Sequence, residues 1–204
     1  MVIDFDIFAL LGFILIFGLV GWYLKKKQDK SRLYLIFYGF FCVYLMALYS
    51  NTIFPLAYFG HDYPPNIWHS INCVPFVGII KWESLMNICM LIPFGFAVPF
   101  MRKIPNVKTM IPAILIPGFM IELIQFLSAL ASDGYTWRMI DINDYLTYTL
   151  GIALGYLIFR LVASLVLELL PDEQEGATVM NYVRDIFDRS TPKPPKESFG
   201  DEGY

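Results

Sequence analysis

Four stretches of this chain run for fifteen or more residues without Asp, Glu, Lys, Arg or His, and that pattern leaves few folds open. In hydrocarbon every backbone N–H and C=O must be bonded within the protein, so apolar runs of about 20 residues read as membrane-crossing helices. Composition agrees. Of 204 residues, 57% are hydrophobic and only 16% charged, where soluble domains carry about 25%. Aromatics reach 17%, which suits interfacial belts and helix packing. The expected fold is all-α, an integral membrane bundle of about five transmembrane helices. The spans are Ile7 to Leu24, Leu33 to Asn51, Ser84 to Met101, Thr109 to Ala131 and Ile142 to Leu167. The first is not read as a signal peptide. Asp4 and Asp6 precede it where a signal has bases, no small-residue cleavage site follows, and it stops at Lys25, Lys26 and Lys27. Ile71 to Ile80 is too short to span and too apolar for a plain loop. It reads as an interfacial or re-entrant piece on the outer side.

Base placement orients the bundle. Lys25 to Arg32 holds five bases and Arg102 to Lys108 holds three. Both follow odd-numbered spans, so the positive-inside rule puts both in the cytoplasm. The N-terminus is then outside and the C-terminus inside. The formal charge of −3 divides unevenly. From Pro171 onward, eight acids against four bases give −4, and the remaining 170 residues, with 11 bases and 10 acids, carry +1. No large basic field exists, so nucleic acid is not expected as a partner. Residues 1–170 read as the transmembrane domain and 171–204 as an acidic cytoplasmic tail. Within the tail, residues 177–189 can form a short amphipathic helix through Val179, Tyr182, Val183, Ile186 and Phe187. Beyond Ser190 the composition fits disorder.

Inside this apolar frame sits a small set of polar groups. Glu122 interrupts the fourth span, with Gln125 three residues on and therefore on the same helix face. Arg138, Asp141 and Asp144 cluster at the mouth of the fifth span. A charge near the centre of a membrane helix costs about 2.5 kcal/mol or more, so such groups face a cavity or each other. Glu122 reads equally as a helix-packing group and as a ligand-facing one. Asp141 reads as an N-cap with Asp144 adding to the helix dipole. Two acids near one base also suit a cation, a lipid headgroup or acid–base chemistry. Asn87 in the third span reads as a packing hydrogen bond. Pro93 and Gly95 read as helix-packing positions, and the proline frees a backbone carbonyl deep in the bundle. Gly151 and Gly155 form a small-xxx-small pair that lets a neighbouring helix approach closely.

Other chemistry is missing from the pattern. Cys42, Cys73 and Cys89 form no close pair, and Cys42 and Cys89 read as small core residues. His61 and His69 have only Cys73 nearby among His and Cys, too few for a zinc set, so no metal is expected. No phosphate-binding glycine loop or serine triad is present, and no cofactor is implied. The pattern favours a binding protein over an enzyme.

The ordered set resembles the VanZ-like membrane protein family, named for a glycopeptide (teicoplanin) resistance protein. It comprises Ile71-Asn72-Cys73-Val74-Pro75-Phe76, Asn87, Ile92-Pro93-Phe94-Gly95-Phe96, Glu122, Gln125, Arg138, Asp141-x-x-Asp144, Gly151 and Gly155. The likeness covers about residues 71–155. Tyr148 departs from it, standing where the family has Asn. The resemblance implies a bacterial cytoplasmic-membrane protein tied to envelope-targeting antibiotics. Its partners would be membrane lipids, a glycopeptide or a lipid-linked cell-wall precursor, with a homo-oligomer allowed. Three functions stand open. The chain modulates such a drug or its target at the outer leaflet, acts as an intramembrane enzyme on a lipid headgroup, or transports a lipid as a dimer.

Overall fold

The computed structural model describes residues 2–3, 5–54, 56–57, 68, 71–104, 106–131, 140–169 and 178–190. Arg138, His61, His69 and the tail beyond Ser190 lie outside the described residues.

Five long apolar helices match the expected spans: α1 (Ile7–Lys27), α2 (Arg32–Thr52), α3 (Trp82–Met101), α4 (Val107–Ala131) and α5 (Ile142–Leu169). Each is long and apolar enough to cross a membrane. A sixth helix, α6 (Thr178–Ser190), is short. Among the described residues, four two-residue strands pair in two small sheets, antiparallel β1 (Val2–Ile3) with β2 (Leu56–Ala57), and parallel β3 (Ile71–Asn72) with β4 (Ile140–Asp141).

The helix ends follow local chemistry. Asp6 accepts from the backbone N–H of Phe8 and of Ala9, both at 3.0 Å, and so caps α1. Lys25, Lys26 and Lys27 fill its last turn, where the helix dipole favours cations. Ser31 Oγ caps α2 through Tyr34 N–H at 3.1 Å. α1 has no buried residue. It meets α2 through the Phe13–Tyr49 ring contact and the Tyr38 hydroxyl, which donates to the Phe17 carbonyl at 3.0 Å. A helix apolar on every side and otherwise uncovered suits a lipid surround.

α3 and α5 form the centre, and glycines set their distance. A Cβ on Gly95 would strike the Ile152 carbonyl, and one on Gly155 would strike the Ile92 carbonyl. The two backbones therefore lie flush, with Gly151 over Ile88. α3 continues unbroken through Pro93 and Pro99. Pro93 leaves the Cys89 carbonyl without its helical donor. One residue on, the Tyr44 hydroxyl donates to the Met90 carbonyl at 2.7 Å, tying α2 to that turn. Cys42 is buried, but Cys89 is exposed. The expectation that both are core residues fails for Cys89, because the face of α3 that packs carries Ile88, Leu91, Ile92 and Gly95 instead.

α6 packs on the end of α5 where the basic turns also lie. Ile186 and Phe187 bury against Phe159 and Ala163, with Tyr182 and Val183 half-buried beside them. Val179, expected on the same face, is 54% exposed. α6 docks through its C-terminal half, so its first turn stands clear.

Ile71 to Ile80 begins with β3 and continues as turns rather than a helix. Its tip presents Val74, Phe76, Val77 and Ile80 outward, the last 97% exposed. That is the character expected of an interfacial segment. Phe76 holds φ at +67° and Gly78 at +68°. The left-handed region is natural for glycine but costs a bulky residue of order 1 kcal/mol or more.

Candidate functional site

The parallel pairing of β3 with β4 brings two distant segments together against the middle of α4. Ile71 pairs with Ile140 and Asn72 with Asp141. At that point the Asp141 backbone N–H donates to Glu122 Oε2 at 3.2 Å. Glu122 stands nine residues before the end of α4, about 14 Å along the axis at 1.5 Å per residue. The fifth helix thus starts well below the end of the fourth, and the 71–80 segment descends with it.

Asp141 Oδ1 collects three donors: the Asn72 amide at 2.9 Å, the Asn143 backbone N–H at 2.8 Å and the Asn143 amide at 2.9 Å. The backbone contact is the cap expected from sequence, since α5 begins at Ile142. The other two reach beyond a cap and fix Asp141 between strand and helix. Asp144 lies in the first turn of α5, and its Oδ1 accepts from Asn87 of α3 at 3.0 Å. Asn87 is therefore a helix-to-helix hydrogen bond, as expected, and its partner is one of the two acids.

Glu122 is 8% exposed and Gln125 5%. The Gln125 amide donates to the Thr52 carbonyl at 2.8 Å, closing the end of α2 onto α4. Glu122 Oε1 and Gln125 Oε1 are buried with no hydrogen-bond partner among the described residues. Leaving a buried polar atom unpaired costs about 1–3 kcal/mol, so each of these two oxygens calls for a donor that the described residues do not supply. Among the described residues, no group of three or more His, Cys, Asp or Glu is placed to hold a metal ion.

The structure brings Glu122, Asp141, Asp144 and Asn87 to one end of the bundle, with Gln125 bonded to α2 alongside. Arg138, expected to join them, is outside the described residues. Two contributors were not foreseen. Asn143, 3% exposed, accepts from Phe76 N–H at 2.6 Å and donates to the Val74 and Val77 carbonyls at 3.2 and 3.3 Å. Thr52 is the other, while Asn72 stood in the Ile71–Phe76 motif without an assigned partner. The signal for Asn143 was its place between Asp141 and Asp144, where an apolar span opens on three polar residues in four. Tyr148 is 1% exposed and packs with Leu48, Leu91, Ile121 and Ile152. It belongs to the apolar core one turn below the acids.

Beside the cluster, α2, α3 and α4 enclose a cavity of about 320 Å³, walled by apolar side chains such as Phe41, Leu45, Phe94 and Met120. Thr52, which bonds Gln125, and Ile121, which precedes Glu122, also line it.

The VanZ/LLP1 family model matches residues 40–163. That is wider than the motif span of 71–155: it takes in α2 from Phe40, the helix that supplies Tyr44 and Thr52, and α5 as far as Ala163. No curated protein and no solved structure matches the chain.

Proposed function

The chain belongs to the VanZ/LLP1 family, and on that premise we propose that it modulates resistance to glycopeptide or lipoglycopeptide antibiotics from the outer leaflet of a bacterial cytoplasmic membrane. It does so by binding the drug, a lipid or a lipid-linked cell-wall precursor at the Glu122–Asp141–Asp144 cluster. One observation carries this reading. A buried carboxylate oxygen and a buried amide oxygen, both without a partner among the described residues, sit next to an apolar cavity between membrane helices. An amphiphile with hydrogen-bond donors on its head and a hydrocarbon tail complements both features. The exposed apolar tip at Val74, Phe76, Val77 and Ile80 lies where such a molecule would arrive from the lipid.

A second reading, acid–base chemistry on a lipid headgroup, is favoured by Glu122 reaching the backbone of Asp141 from a facing helix. Variants separate the two. Glu122→Ala, Arg138→Ala and Asp144→Ala should each abolish resistance in cells with the protein at normal abundance. Glu122→Gln keeps hydrogen-bonding capacity without the charge. Retained resistance in Glu122→Gln supports binding, and its loss supports a required carboxylate. Full resistance in Glu122→Ala and Asp144→Ala alike would remove the cluster from the function.

A further inference from the structure

The opposite end of the bundle holds a second site, independent of the reading above. The α1–α2 turn, the end of α3 and α6 enclose a cavity of about 570 Å³. Its bases are Lys30, Arg102, Lys103 and Arg189, and its acids are Asp29 and Asp185. Both acids are engaged, Asp185 with Arg189 at 3.0 Å and Asp29 with Lys25 at 3.9 Å. Lys30, Arg102 and Lys103 have no ion-pair partner among the described residues. Lys30 is held over the Tyr34 ring, 5.1 Å from its centroid. Four bases against two acids leave the cavity positive.

Phe100 and Met101 line this cavity and also a second one, of about 220 Å³, between α2 and α3. The second has no charged side chain in its wall, and Phe37, Phe40 and Phe96 supply much of its surface. A free anion would need only the first cavity, and a plain hydrocarbon only the second. The two meet across a shared wall at the level where basic turns border apolar helices, which fits one molecule with an anionic head and a hydrocarbon tail.

We propose that this pair of cavities binds an anionic glycerophospholipid. Its phosphate lies against Arg102, Lys103 and Lys30, and one acyl chain lies between α2 and α3. A guanidinium can take two phosphate oxygens at once, while the ammonium groups act as point charges. α6 supplies Tyr182, Asp185 and Arg189 to the headgroup cavity, so the docked helix forms one wall of the site.

The test uses the purified full chain and native mass spectrometry with added phosphatidylglycerol or phosphatidylcholine. Phosphatidylglycerol should be retained in preference. R102Q/K103Q should bind it roughly thirtyfold more weakly, about fivefold for each base removed at an anionic headgroup. Both side chains are exposed, so this variant keeps its fold. A97W, which fills the apolar cavity, should weaken lipid binding with the bases intact. Millimolar inorganic phosphate or glycerol phosphate should displace little lipid. Equal retention of both lipids, or unchanged phosphatidylglycerol binding in R102Q/K103Q, would overturn the proposal. So would efficient displacement by inorganic phosphate, which would make this a free-anion site.

Discussion

At position 143 one asparagine side chain ties the 71–80 segment to the start of α5. It accepts from Phe76 N–H and donates to Val74, Val77 and Asp141. Asn143→Ala strands these groups in a buried place, and each unsatisfied partner costs about 1–3 kcal/mol. The variant should melt several degrees lower in detergent, and the 73–80 segment should become a protease site while α3 and α5 stay intact. An unchanged melting point with an uncut loop would mean that Asn143 does not hold the segment. Asn143→Asp should be no better, because it loses the amide donors and sets a carboxylate beside Asp141. Much at this scale was legible beforehand. Glu122, Asp141 and Asp144 stood out because charge in an apolar run is costly. Asn143 did not, because a neutral amide near a helix start carries little penalty until its partners are known. Its partners in the 71–80 segment lie 66 to 69 residues away, and no local spacing reports such a pairing.

Among the elements, the α3–α5 contact makes the sharpest demand. Gly95→Ala and Gly155→Ala each push a methyl into a backbone carbonyl of the facing helix, which cannot rotate aside as a side chain can. Overpacking of this kind costs about 1–3 kcal/mol, so either variant should unfold at lower temperature in detergent. Gly12→Ala is the control. Nothing lies within 4 Å of its added Cβ, and alanine gains up to about 1 kcal/mol in helix propensity, so stability should hold or rise. Equal loss from Gly12→Ala and Gly95→Ala would show that glycine flexibility, not contact, is what matters. The spacing of Gly151 and Gly155 made one half of this interface readable. The other half, Gly95 beside Pro93, is equally a packing position, but its partner was not readable, because a sequence shows that a face is smooth without saying which face it meets. α6 was equally half-legible. Its periodicity marked an amphipathic face, but only the packed aromatic rings Phe100, Phe159 and Phe187 decide that the C-terminal half docks.

For the whole molecule, charge distribution makes the first prediction. The basic turns and α6 gather at one end, and the polar cluster occupies the other. The positive-inside rule then predicts that an impermeant label on intact cells reaches tags at the N-terminus and near residue 60, and misses one at the C-terminus. A labelled C-terminus would invert the arrangement. The number and bounds of the helices were legible because uncharged runs and their basic stops are strong, local signals. The depth at which α5 begins was not, because it depends on β3 and β4 meeting beneath the end of α4.

The bundle is also unevenly fastened, and force should reveal it. α1 is held to its neighbour chiefly by aromatic contacts and one tyrosine hydroxyl, while α3 and α5 touch backbone to backbone. Pulled from its N-terminus out of a bilayer by an atomic-force tip, the chain should release α1 in a first, weak rupture. α3 cannot then leave without uncovering α5, so the strongest rupture should come late. Gly95→Ala should lower that late peak and leave the first unchanged. The protein would yield in order of grip, its edge surrendering before its spine.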